Sequence, residues 1–312
     1  MTDTQADQTF TSVEVPWMKI GTRVDQAVTA AEAIELAGLN WEAERRPAGY
    51  VGNDGSWKVH PNRVAIVRGD TDEVLSNRAE AYEVVQYREA FDFVDRINPN
   101  FVSAGSLVGG KQAFMVVQAP EHTRLDLLDG EDPHGLYIVM RTSHDASRGI
   151  EVALLPLRDK CMNQLHLPSL TRGSHQRMSF RHTRSVHQKL EQASTLFTNL
   201  DAYAEEVQET ASQLAAIDLE LEEARAVLDE VVPKDLKSRE ARIDRIASLY
   251  QNSPLNGYAG NGWGLVNAVS EYHEYHHGGE RRNPATRFLQ GMENGSTNEA
   301  VHRTVAALRR RR

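Results

Sequence analysis

Apolar residues recur at alternating spacings of three and four from Ala193 to Val231: Ala193, Leu196, Leu200, Tyr203, Val207, Thr210, Leu214, Ile217, Leu221, Ala224, Leu228 and Val231, with Thr210 the one polar member. This heptad stripe predicts a single helix of about 40 residues, roughly 60 Å long at the α-helical rise per residue. Pro233 ends it. A stripe that narrow on a helix that long needs a partner. The partner is either another helix of this chain or the same helix of a second subunit, which would make residues 193–231 a homo-oligomer seam.

Upstream the period changes. Val64–Val67, Tyr82–Val85, Phe114–Val117, Tyr137–Met140 and Val152–Leu155 are short β-branched or aromatic runs, and turn residues such as Gly69-Asp70, Gly109-Gly110 and Asp132-Pro133 separate them. These runs predict strands. Two helices are expected among them. One begins at Thr29, whose spacing to Glu32 is that of a capping box, and stops at Gly38. The other covers about Arg88 to Ile97 and stops at Asn98-Pro99. Downstream, Gly262-Trp263-Gly264 leads into a helix to about Tyr275, and a final helix from about Asn298 runs into Arg309 to Arg312. The fold class expected is α+β, a mainly antiparallel sheet domain followed by a long heptad-patterned helix and a helical C-terminal region. The boundaries are a disordered leader at 1–12, an α+β core at 13–185, the long amphipathic helix at 186–232 and a helical region with a basic tail at 233–312.

Charge adds a partner to this picture. From Lys160 to Leu190 there is no acidic residue, and six Lys or Arg, four His and Phe180 fall in that stretch. From Glu191 to Glu230 there are eleven acids, with Arg225 the one base. The chain has a formal net charge of -9, so this basic stretch is a local place for a polyanion to bind. Arg172, Arg177, Arg181, Arg184 and Lys189 are the candidate phosphate contacts, and Phe180 the candidate ring for stacking on a base. The alternative is that the cations pair with the acidic helix of the same protein.

Cys161 is the single cysteine among 312 residues, so no intrachain disulfide forms, which fits a reducing cytoplasm. The first twelve residues lack the basic and apolar runs of a secretory signal, and no apolar stretch approaches the roughly 20 residues of a bilayer span. A soluble cytoplasmic protein is expected, with no membrane partner.

Four motifs suggest chemistry. Gly105, Gly110 and Lys111 have phosphate-loop spacing, but Gln112 stands where Ser or Thr must follow the lysine, and residues 113–118 read as strand. A β-hairpin turning at Gly109-Gly110, between Phe101–Leu107 and Gln112–Gln118, is expected instead of a nucleotide site. His273-Glu274-Tyr275-His276-His277 has the spacing of a zinc peptidase helix, yet Gly278 breaks the helix and no third ligand is evident, so no metal is expected. Ser143-His144-Asp145 sets three triad residue types side by side, whereas a working triad draws them from separate loops. A polar turn is expected there, with Arg141 beside it as a possible phosphate contact. Cys161 with Asn163 pairs a nucleophile with a polar neighbour.

Several segments together carry a resemblance. Pro16-Trp17 and Gly21-Thr22 begin it, and Ala104 to Gly110, Ser143-His144-Asp145, Leu157 to Leu165 and Arg181-His182-Thr183 continue it. Gly262 to Tyr272 completes it. The set resembles the phage/plasmid-like family known as domain of unknown function 932, over roughly residues 14 to 308. The resemblance implies a phage, prophage or plasmid origin and brings no established activity. Gln164 stands where that family usually has Thr, which leaves a hydroxyl role at that place without its group.

Three functions follow. The first is single-strand nucleic-acid binding, as in the annealing (recombination) proteins of phages, which combine a small antiparallel sheet, a long helix and a basic groove and need no cofactor. The second is an enzyme with a polar site drawn from His144, Asp145, Arg158, Cys161, Asn163, Arg181, His182 and Thr183 around the end of the sheet. The third is a structural or regulatory protein assembled through its long helix. A continuous basic groove favours the first, and a closed pocket holding His144, Arg158 and His182 favours the second.

Overall fold

A computed structural model describes residues 6–11, 22–23, 29–128, 130–158, 177–193, 200–253, 258–276 and 295–311. In chain order the elements are β1 (Ala6–Thr11), β2 (Thr22–Arg23), α1 (Ala30–Leu36), β3 (Ala43–Val51), β4 (Trp57–Arg68), β5 (Val74–Ala79), α2 (Tyr87–Phe91) with a 3-10 turn (Asp92–Ile97), β6 (Asn100–Leu107), β7 (Gln112–Gln118), β8 (Leu125–Leu127), β9 (Asp132–Ser143), β10 (Ile150–Arg158) and β11 (Arg177–Phe180). Helices follow: α3 (Val186–Ala193), α4 (Leu200–Ala215), α5 (Leu221–Val231), α6 (Arg239–Asn252), α7 (Gly262–Glu271), which continues as a π turn (Tyr272–His276), and α8 (Gly295–Arg310). The fold is α+β, with antiparallel sheets in the N-terminal half and helices in the C-terminal half.

The chain forms two compact units. The first takes Met1–Pro120, Tyr137–Leu154 and His175–Asn199, and the second Glu121–Leu136, Leu155–Ser174 and Leu200–Arg312. In the first, the strands lie in the order β11-β10-β9-β7-β6-β1-β2, antiparallel except for the β1–β2 pair. A second, three-stranded sheet has the order β3-β4-β5. Nearly every residue of β6 and β7 is buried, which requires cover on both faces of the main sheet; α1 packs against β6.

Local signals in the sequence are realised in detail. Thr29 and Glu32 form a reciprocal capping box at the start of α1. Its far end closes at Gly38, with φ of 65°, where Gly38 N–H bonds the Glu35 carbonyl and Leu39 N–H bonds the Ile34 carbonyl, a Schellman arrangement. The β6–β7 hairpin turns through Val108, Gly109 and Gly110, all with positive φ, and Lys111 leads into strand, so no phosphate loop exists there.

Three expectations are corrected. Ala6–Thr11, within the leader read as disordered, form a strand on β6. Tyr82–Val85 are not a strand: Glu83 N–H bonds the carbonyl of His182 and Tyr82 N–H that of Ala79, so this stretch spends its donors on a loop and a turn. The single 40-residue helix is likewise absent. The backbone leaves the helix after Ala215, where Leu219 N–H bonds the Gly260 carbonyl and Gly262 N–H the Ile217 carbonyl. A new helix then starts at a Glu220–Glu223 capping box.

The heptad stripe survives this break because α4 and α5 each bury their own part of it. Tyr203, Val207, Thr210 and Leu214 are buried on α4, and Ala224, Leu228 and Val231 on α5. Their partners are helices of the same chain: α7 packs on α4, and α6 and α8 on α5. In the same unit, α7 buries Trp263, whose indole N–H donates to the buried Asp132 carboxylate at 2.9 Å. Gly264 has no room for a side chain, since a Cβ there would sit 1.9 Å from the Tyr258 carbonyl oxygen.

The break separates two positions of one stripe. Leu214 is 1% exposed, so Leu214→Asp buries a carboxylate without a partner and destabilises the helical unit by several kcal/mol unless the group takes up a proton. Leu221 is half-buried in the first turn of α5, where an acid suits the helix dipole, so Leu221→Asp is expected to cost less than about 1 kcal/mol. Thermal melts followed by circular dichroism check the contrast; equal losses at both sites would restore the unbroken seam.

Candidate nucleic-acid interface

The basic stretch enters the described structure at β11, the edge strand of the main sheet, and continues through a turn into α3. Buried positions hold it in place. Phe180, His182, Val186 and Leu190 are all under 9% exposed, whereas Arg181, Thr183, Arg184, Ser185 and His187 between them are exposed and Lys189 is half-buried. Strand alternation sets Phe180 inward and its neighbour outward, and the spacing of four from Val186 to Leu190 keeps one face of α3 inward. Main-chain bonds from Thr183 N–H to the Arg181 carbonyl and from Val186 N–H to the Thr183 carbonyl shape the turn. Beneath it, Gly149 meets β11 so closely that a Cβ there would lie 2.3 Å from the Phe180 carbonyl oxygen.

Arg181, Arg184 and Lys189 make no side-chain hydrogen bond or ion pair among the described residues. Arg177 opens β11 and Arg158 closes β10, with only their backbones described. Cys161, Asn163 and Arg172 lie outside the described residues. Phe180 corrects its expected role: at 7% exposure, paired with Ile150 across the sheet, it packs in the interior and offers no face to a base.

His144 and His182, 38 residues apart, do come together. His144 stacks on Tyr87 at 4.2 Å between centroids and tilts against Trp41 at 5.6 Å. His182 stacks on Tyr82 at 5.2 Å, and its Nε2 lies 3.4 Å from Thr142 Oγ1. Backbone carbonyls around His144 are all engaged: Ser76 Oγ donates to that of His144, Tyr82 Oη to that of Ser143, and the Arg78 guanidinium to that of Asp145. Burial holds the His144 imidazole down to about 3, with the nearby His182 adding to the effect, and burial also lowers His182. Both rings are therefore neutral near pH 7.

The arrangement does not make a triad. Ser143 Oγ is committed to the backbone of Arg148, and the Asp145 carboxylate accepts from Ser147 N–H and Oγ, closing its own turn. Burial pulls the Asp145 carboxyl upward, but these bonds outweigh it and leave the group below its ordinary range. His144 is 1% exposed and has no path to a substrate in this arrangement. Arg141 is also buried, on β9. The residues that sequence reasoning missed are Trp41, Arg78, Tyr82 and Tyr87. Tyr82 reads as strand in the sequence, and nothing local marks the other three. Of the zinc-like pattern, His273 is buried on the π turn and His277 lies outside the described residues; no group of three or more metal-ligating side chains occurs among the described residues. No helix among them is long and apolar enough to cross a membrane.

The depressed His144 pKa has a stability consequence. The unfolded chain binds a proton at this ring below about pH 6.5, and the folded one does not until about pH 3. Stability therefore falls as pH drops through that window, by up to about 1.4 kcal/mol per pH unit from this one group. His144→Phe should flatten the dependence by up to one proton, measured by denaturant melts from pH 7 to 4; an unchanged slope would show that the ring is charged in the folded state.

Comparison with known proteins adds one finding. No curated protein and no solved structure matches the chain. Residues 74–304 match the family described as Domain of unknown function (DUF932), a span that takes in the main sheet from β6 onward, the β11–α3 edge and the helices through most of α8. The chain belongs to that family.

Proposed function

We propose that this protein binds single-stranded nucleic acid along the β11–α3 edge and acts in annealing or recombination, without ATP or a metal. The observation that carries the reading is the outward set of Arg181, Arg184 and Lys189, cations with no partner among the described residues in a chain of net charge -9. A cation already paired to a carboxylate gains little from a phosphate, whereas an unpaired one releases the phosphate's counterions. Arg177 and Arg172 extend the set in sequence. The phage or plasmid origin implied by the resemblance fits such a role, and so does the combination of an antiparallel sheet with helices. Stacking on Phe180 is not part of the proposal.

An enzyme remains the second reading on one observation. Trp41 Nε1, His144 Nδ1 and His182 Nδ1 are buried without hydrogen-bond partners within the same aromatic cluster. Chemistry there would require the cluster to open.

Arg181 and Arg184 replaced together by Ala should weaken binding of labelled single-stranded DNA regardless of sequence. The slope of log affinity against log salt should fall by about 1.4, at roughly 0.7 per lost contact on a single strand. Because both side chains are exposed, the fold should be retained. Wild-type protein without salt-sensitive binding at low ionic strength would overturn the proposal and move the enzyme reading ahead. Phe180→Ala is expected to lower thermal stability by about 3–5 kcal/mol, as a core deletion does.

A further inference from the structure

β3 and β4 continue past the three-stranded sheet as a two-stranded ribbon. β5 pairs with β4 only over Arg63–Val67, so the stretch from Trp57 to Asn62 has β3 as its sole strand partner. The ribbon closes through residues 52–56, where Gly55 has φ of 75° and Asp54 accepts from Ser56. Its large side chains face solvent: Val51 is 67% exposed, Trp57 60%, and Tyr50 and Val59 57% each. A ribbon with two solvated faces ordinarily carries polar side chains, and these four are the most exposed of the large hydrophobic side chains among the described residues.

Register explains how the rings are presented. Val51 pairs with Trp57, and Gly49 with Val59, on one face; Tyr50 pairs with Lys58 on the other. The Trp57 ring lies across Gly49, where a Cβ would come within 2.6 Å of it, so the glycine makes the room that holds the indole against the strand. Charge indicates the partner. From Arg45 to Gly69 there are five Lys or Arg and one acid, Asp54. At the base, Arg45 pairs with Glu80, Arg46 with Glu44 and Asp72, and Arg68 with Asp70. At the free end Lys58 meets Asp54 at 3.4 Å, and where pairing with β5 begins Arg63 is exposed and unpaired among the described residues.

We propose that the β3–β4 ribbon is a second contact for single-stranded nucleic acid, with Trp57 stacking on a base and Arg63 neutralising a phosphate. Exposed rings beside an unpaired cation on an otherwise acidic protein suit a ligand with π faces and negative charge. The proposal rests on the nucleic-acid reading of the β11–α3 edge but uses different residues.

Fluorescence anisotropy of a labelled thymidine oligonucleotide, and of its RNA counterpart, separates the two claims. Trp57→Ala should weaken binding roughly 5- to 100-fold with little change in salt slope, and Trp57→Phe should recover most of the loss because a ring remains. Arg63→Ala should lower the slope instead. Circular dichroism of each variant should match wild type, since both side chains are exposed. If the wild type binds and loses affinity with the Arg181 and Arg184 changes but not with Trp57→Ala, the ribbon proposal fails and the edge stands. A wild type that binds neither oligonucleotide ends both. Altered mass in solution with unaltered affinity would make the ribbon a contact between copies of the chain and overturn the proposal.

Discussion

The burial of Phe180, His182, Val186 and Leu190 decides which way the cations among them face. An arginine cannot follow these side chains inward without a carboxylate to meet it, because an unpaired buried charge is far costlier than any packing it could gain. Anchoring the apolar and aromatic positions therefore places Arg181 and Arg184 in water. Gly149 permits the close approach of β11 on which this depends. The same interior stacks His182 on Tyr82 and His144 on Tyr87, so the cation edge and the histidine pair are two sides of one packing arrangement.

That arrangement also weighs the functional readings against each other. Acid–base chemistry needs a titratable group that reaches its substrate and titrates near the working pH. His144 is enclosed and held neutral far below neutrality, and Asp145 is tied into its own turn. Counterion release needs only exposed cations without partners, and the β11–α3 edge supplies them. The heptad stripe, which suggested assembly through a long helix, finds its cover within the chain, so the apolar faces of α4 and α5 are already occupied.

What the sequence revealed was local. The Thr29–Glu32 box, the stop at Gly38, the hairpin at Gly109-Gly110 and the break at Asn98 each depend on a few adjacent residues, and all are present. The break between α4 and α5 was hidden because residues on both sides keep the same spacing, and its cause, pairing with residues 260–262, lies some 40 residues away. Tyr82–Val85 has strand composition but no strand to pair with, and its ring serves His182 instead. The meeting of His144 with His182 follows from the β9, β10 and β11 pairing, which periodicity does not encode. Phe180 was misjudged because a lone aromatic in a basic stretch has the same appearance in sequence whether it stacks on a base or anchors an edge strand.

Amide hydrogen exchange in the presence and absence of a thymidine oligonucleotide tests the central claim most directly, because it reports where the ligand sits without altering the protein. Added oligonucleotide should slow exchange at the exposed turn from Arg181 to Ser185 and the start of α3, while α5 exchanges as before. Unchanged exchange across that turn at saturating oligonucleotide would contradict the account.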